Sequence, residues 1–136
     1  MSTRLPDWEA RLHAYLDSVA KTPFAWGTHD CALFVGDCVQ AMTGIDPAAA
    51  YRGTYTNETG ARLALKRHGK TTLVATFDDA FGMNVAPARA HRGDIVQIDD
   101  TTAGVCMGAF GFFVGDTGLV RHPYSDFTRA WSIRFE

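Results

Sequence analysis

Through the first part of the chain, hydrophobic positions recur at the three- and four-residue spacing of helices; in the last part they form short runs set off by turn residues. Trp8, Leu12, Tyr15, Leu16 and Val19 form one stripe behind Asp7, a residue suited to an N-cap, which predicts an amphipathic helix over residues 7–20. Pro23 and Gly27 then force an irregular connection. Asp30 is placed to cap a second helix over residues 31–43, closed by Gly44. Its apolar positions (Cys31, Leu33, Phe34, Val35, Cys38, Val39, Met42) cover most of the circumference, so this helix is expected to be central. Asp46–Pro47 opens a loop through Tyr51, Arg52, Gly53 and Tyr55. A third helix is predicted from Thr56 or Asn57 to His68, stopped by Gly69. A short fourth is predicted from Thr71 or Thr72 to Phe81, again followed by glycine.

After Pro87 the period changes. Asp94–Ile98, Gly104–Met107, Phe110–Val114 and Gly118–Val120 are short apolar runs, divided by an Asp-Asp-Thr-Thr stretch, by Gly108 and by an Asp-Thr-Gly turn at 116–118. They predict an antiparallel meander. Residues 131–135 (Trp-Ser-Ile-Arg-Phe) alternate and predict a last strand. Helices first and strands afterwards give an α+β fold in which the sheet packs against the central, cysteine-bearing helix. No repeat, linker or low-complexity segment divides the chain, so residues 1–136 are expected to form a single domain.

A hydrophobic fraction of 46% supports one core without covalent staples, and 21% charged residues is ordinary for a soluble protein. The net charge of −2, with no block of like charge, leaves a nucleic-acid role without an electrostatic basis. No segment approaches the ~20 apolar residues of a membrane-spanning helix, so no membrane insertion is expected. The opening residues lack the apolar stretch of a signal peptide, and synthesis in the cytoplasm follows as an expectation. Cys31, Cys38 and Cys106 are an odd number without an export signal, so reduced thiols are the default. On one helix, Cys31 and Cys38 would share a face about 10 Å apart, too far for a disulfide. The cysteine spacing gives no support to a metal site, even with a histidine as fourth ligand. The glycine-rich stretch 104–115 lacks the lysine and following helix of a phosphate loop. Its small residues are expected to permit tight strand turns or the approach of a neighbouring chain. No cofactor is expected.

Candidate chemistry centres on Trp26-Gly-Thr-His-Asp-Cys31-Ala-Leu-Phe-Val. A cysteine at a helix start meets unpaired backbone N–H groups and the positive end of the macrodipole, both of which favour the nucleophilic thiolate. A thiol hydrolase also needs a base within hydrogen-bond reach. The alternative is that Cys31 simply packs, as free cysteine often does.

These residues, followed after several helical turns by Arg92-Gly-Asp-Ile-Val96 and further strands, resemble the NlpC/P60 cysteine-peptidase superfamily. More narrowly they are similar to short NlpC/P60-like proteins encoded among the tail genes of bacteriophages. The resemblance runs from about Pro23 to Val120. It implies Cys31 as nucleophile, behind the helix-capping Asp30, and Asp94 at a Gly-Asp strand start. It also implies a base on a strand beginning His-Val-Gly. Laying residues 102–108 on that strand puts Thr102 at the base position; laying residues 109–115 there puts Ala109. Neither accepts a proton from a thiol, so the family's histidine is missing.

Two histidines are substitutes to consider. His122, at the end of the meander, would reach Cys31 only if strands were repositioned. His29 could act from the loop, or simply bond backbone groups there. His13 and His68 fall on predicted helix faces, and His91 precedes the Gly-Asp strand at the surface. The three tryptophans are expected to be mostly core.

The resemblance therefore implies a structural component of a phage tail tip or baseplate, assembled in the host cytoplasm, carried in the virion, and contacting other tail or baseplate hub proteins. The alternative is an active cysteine peptidase or amidase that cleaves peptidoglycan peptides during phage entry. A thiol-dependent acyl hydrolase on the same fold is a third expectation that no residue favours.

Overall fold

The structure, a computed structural model, describes residues 4–133. Helix α1 spans Trp8–Val19, α2 Cys31–Thr43, α3 Glu58–His68 and α4 Leu73–Phe81. Five strands follow: β1 Ile95–Asp99, β2 Thr102–Cys106, β3 Phe110–Gly115, β4 Gly118–Pro123 and β5 Arg129–Trp131. The fold is α+β, with helices first and an antiparallel sheet at the C-terminal end, as the hydrophobic periods predict.

Capping residues set the helix starts. Asp30, Asn57 and Thr72 accept the backbone N–H of Leu33, Gly60 and Ala75, which satisfies a donor with no partner inside each helix. Asp7 behaves differently: it makes no side-chain cap, and its carboxylate accepts from Arg11 Nε at 2.9 Å. Of the two threonines before α4, Thr72 caps it, and Thr71 takes a left-handed φ of 78°.

The strand order is β4-β3-β2-β1-β5. β1 to β4 form the meander, and β5 returns to lie beside β1, with Ile95 opposite Trp131. Strand ends depart from the apolar runs because pairing, rather than hydrophobicity, defines them. β2 begins at Thr102, opposite Asp99, and β4 continues to Pro123, opposite Phe110. The predicted last strand over 131–135 is displaced: Arg129–Trp131 pairs, and Ile133 follows as a fully buried side chain. Residues 134 and 135 lie outside the described residues.

One face of the sheet, through Ile95, Ala103, Val105 and Trp131, packs against Phe34, Cys38 and Met42 of α2 and Leu12 and Leu16 of α1. The other face, through Val96, Ile98, Cys106, Phe113 and Ala130, packs with Phe127, Val85 and Ala90. Helix α2 is the centre, with Phe34, Cys38 and Met42 at 0% exposure. The glycine-rich stretch serves packing within the chain: a Cβ on Gly104 would lie 2.1 Å from the Phe112 carbonyl oxygen across the β2–β3 pair. Asp94 is 1% exposed and ties chain ends to the sheet. Its carboxylate accepts from Arg4 at 3.0 Å and from the His91 and Ile133 N–H groups at 2.9 and 3.2 Å. No helix among the described residues is long and apolar enough to cross a membrane.

Candidate thiol site at the start of helix α2

The segment before α2 is a tight fold-back. Ala25 and His29 exchange backbone hydrogen bonds of 3.2 and 2.8 Å, and Gly27 sits at φ 83°. A side chain at Gly27 would also collide with Tyr55, whose carbonyl oxygen lies 2.1 Å from the Cβ position. Asp30, 2% exposed, organises this corner. One carboxylate oxygen accepts the Leu33 N–H at 3.0 Å. The other accepts the Gly27 N–H at 3.0 Å and the Tyr55 hydroxyl at 2.5 Å. Burial, then the bond to Asp30, raises the Tyr55 pKa, so its hydroxyl stays a donor.

Cys31 occupies the first turn of α2, half-buried. Its thiol donates to the Thr101 carbonyl at 3.0 Å. A carbonyl oxygen accepts this bond only while sulfur carries its proton. Burial pushes the thiol up to about 11, and the negative charges of Asp30 and Asp99 add to this. The backbone N–H groups of Ala103 and Ala32 pull the other way and do not prevail. The helix N-terminus is therefore outweighed by desolvation, and Cys31 is a neutral thiol near pH 7.

The strand facing Cys31 is the one that begins at Thr102, since the sulfur meets Thr101 and Ala103 on either side of it. Ala109 lies beyond the far end of β2, where its carbonyl accepts the Tyr124 N–H at 2.9 Å. His122 is not brought to Cys31. It lies opposite Gly111 on β4 with its ring edge-on to Phe113, on the sheet face turned away from α2. Its Nδ1 is 3.3 Å from Asp126. His29 packs into the core: it is 6% exposed and edge-on to the ring of Phe34 at 5.9 Å. Its Nε2 is buried without a partner. Burial lowers the His29 pKa against the opposing pull of Asp37 and Asp30. His13 is exposed on α1, His68 stands edge-on to Tyr51, and His91 Nδ1 is 2.8 Å from the Arg89 carbonyl.

Cys38 is buried on the core side of α2 and Cys106 lies on the opposite sheet face, and all three cysteines are free. No group of three or more metal-ligating side chains gathers among the described residues.

Cys31 opens onto a feature the sequence reading missed, a cleft of about 880 Å³. Trp26, Tyr55, Leu73, Phe77, Thr101 and Arg129 are among the residues that line it. Its walls come from segments far apart in sequence, so no local period marks it. The available signal was the cluster of aromatic residues in irregular segments, at Trp26, Tyr51 and Tyr55. Trp26, expected in the core, is 39% exposed at this cleft.

A family model described as "Domain of unknown function (DUF6950)" matches residues 3–133. No curated protein and no solved structure matches the chain.

Proposed function

The chain belongs to the DUF6950 family; on the resemblance carried by residues 23–120, we propose that it is a non-catalytic structural component of a bacteriophage tail tip or baseplate, built on a degenerate NlpC/P60-like fold. The observation that carries the reading is the Cys31 thiol, which donates to the Thr101 carbonyl at 3.0 Å opposite a strand that opens with Thr102. A nucleophile needs the reverse arrangement, with a base accepting the thiol proton. Thr102 cannot do this, and no histidine is among the residues lining the cleft. The partners in this reading are other tail or baseplate hub proteins, and the location is the virion.

Sheet edges bear on how such partners would attach. The start of β4 is bonded by the linker after α1, from the Leu119 N–H to the Ala20 carbonyl at 3.0 Å. On the other side, Val85 and Ala130 exchange bonds of 2.8 and 3.1 Å alongside β5. The β5 edge is thus engaged inside the chain at Ala130 and the β4 edge at Leu119, which limits strand addition there and leaves contacts to side-chain surfaces and the remainder of β4.

Thiol alkylation across pH tests the reading, with Cys31→Ser as control; Cys38 and Cys106 are at 0% exposure and do not compete in the folded protein. With the thiol raised from 9.0 to about 11, labelling at pH 7.5 should be roughly 100-fold slower than for an unperturbed cysteine. Fast labelling that persists below pH 7 and disappears in Cys31→Ser would sink the non-catalytic reading.

The competing reading, a cysteine peptidase or amidase acting on peptidoglycan peptides, draws on the cleft opening at Cys31. It requires a base that takes the thiol proton, from a displaced His29 or from another subunit. Solubilisation of purified peptidoglycan by the protein, lost in Cys31→Ala, would establish it.

A further inference from the structure

The Phe24–Asp30 loop has two sides. Its outward aromatics, Phe24 and Trp26, line the cleft with Cys31. Its inward residue, His29, is 6% exposed against Phe34, which is fully buried. Besides the Ala25–His29 pair, the loop is held by the Thr28 N–H to the Ala25 carbonyl at 3.2 Å, the Phe24 N–H to the Gly115 carbonyl at 3.0 Å, and the Asp30 carboxylate, which accepts from Gly27, Leu33 and Tyr55. Gly27, at φ 83°, gives it a backbone position suited to bending.

We propose that His29 is an acid-sensitive latch. Neutral, it plugs the loop into the core beside α2. Protonated, it releases the loop and uncovers the start of α2 with Cys31.

A proton on the ring adds a charge and an N–H donor, while Nε2 is already buried without a partner. Burying an unpaired charge is strongly unfavourable, so the ring takes its proton where water reaches it. Asp37 of α2 and Asp30 of the cap are the carboxylates whose fields reach the ring. Both are committed: Asp37 to the Tyr15 hydroxyl at 2.7 Å and Arg52 at 2.5 Å, Asp30 to Leu33, Gly27 and Tyr55. Arg52, bound to Asp37, offsets part of that carboxylate's attraction. From α1, Tyr15 packs on the same Phe34 ring at 6.1 Å, and its pKa is raised, so it stays neutral. Burial prevails and holds His29 below its ordinary value. In the open loop the ring regains a pKa near 6.5. The closed loop is therefore fully stabilised above about pH 6.5 and loses stability as pH falls through and below it. The latch operates whatever role Cys31 has.

Amide hydrogen exchange at residues 25–30 reads the opening, once corrected for intrinsic exchange and referenced to the interior of α2. Between pH 7.5 and pH 5.0, opening should rise up to about 30-fold in the wild type. His29→Phe keeps a ring against Phe34 and cannot ionise, so its opening should not depend on pH. Ring-nitrogen NMR of the wild type should show His29 titrating below 6.5. The latch is overturned if His29 titrates at or above that value with loop protection unchanged, or if His29→Phe retains the pH dependence. Should that variant not fold, ring titration and loop protection in the same wild-type sample decide the matter.

Discussion

Asp30 shows how much one side chain organises here. Two oxygens serve three donors, from Leu33, Gly27 and Tyr55, at a position 2% exposed. Removing the carboxylate takes away a helix cap, worth about 1 kcal/mol, and leaves a further N–H and a hydroxyl without their partner, at roughly 1–3 kcal/mol each in a buried site. We expect Asp30→Ala to lower unfolding stability by about 3 kcal/mol, and Tyr55→Phe, which removes one donor, by about 1 kcal/mol. Urea titration at pH 7 measures both; a loss below about 1 kcal/mol for Asp30→Ala would deny Asp30 this organising role. The capping role of Asp30 and the helix-start position of Cys31 were legible in the sequence, because a cap is a local motif. The state of the thiol was not. It is set by Thr101, seventy positions along the chain, and by burial that no local pattern encodes.

At the scale of elements, the helix periods and the meander runs could be read directly, since side-chain alternation and helical stripes are written residue by residue. What the runs left open was where pairing stops. Gly104 illustrates the constraint: the β2–β3 approach leaves no room for a Cβ, which would sit 2.1 Å from a backbone oxygen that cannot turn aside. Gly104→Ala should cost at least about 3 kcal/mol, at the severe end of overpacking. Thermal unfolding followed by circular dichroism is the check, and a variant as stable as the wild type would show that the β2–β3 spacing is looser than described. The same strands separate His122 from Cys31. A sequence places both residues in one chain, but the parity of β4 turns the His122 ring to the face with Phe113, opposite α2.

Across the whole molecule, acid should act in two stages. His29 contributes the first, below about pH 6.5, by the sign argument above. Asp46, Asp78 and Asp99 contribute the second. Each is pushed up by burial but held below the ordinary value by bonds that together outweigh it: Arg52 and the Ala48 N–H on Asp46, Asn84 and Trp131 on Asp78, Thr101 and Thr102 on Asp99. Their folded pKa values are depressed, so their stabilisation is present above about pH 4 and lost as pH falls below it. The urea midpoint measured from pH 8 to pH 3 should decline shallowly below 6.5 and steeply below 4. His29→Phe should remove the first decline and keep the second; a single decline in the wild type would contradict this account. By itself the sequence determined the α+β order, the central helix, its cap, the cysteine at its start and the lack of a histidine at either strand position it offered for a base. All but the last follow from periodicity and from residue chemistry at adjacent positions; the base positions come from the family resemblance. Only the tertiary structure decided that Thr102 heads the strand facing Cys31, that the thiol is neutral, that His29 is a buried ring with an unpartnered nitrogen, and that a cleft opens beside them. Protonation states and cavities depend on desolvation and on partners far away in sequence, and both come into being only when the chain packs.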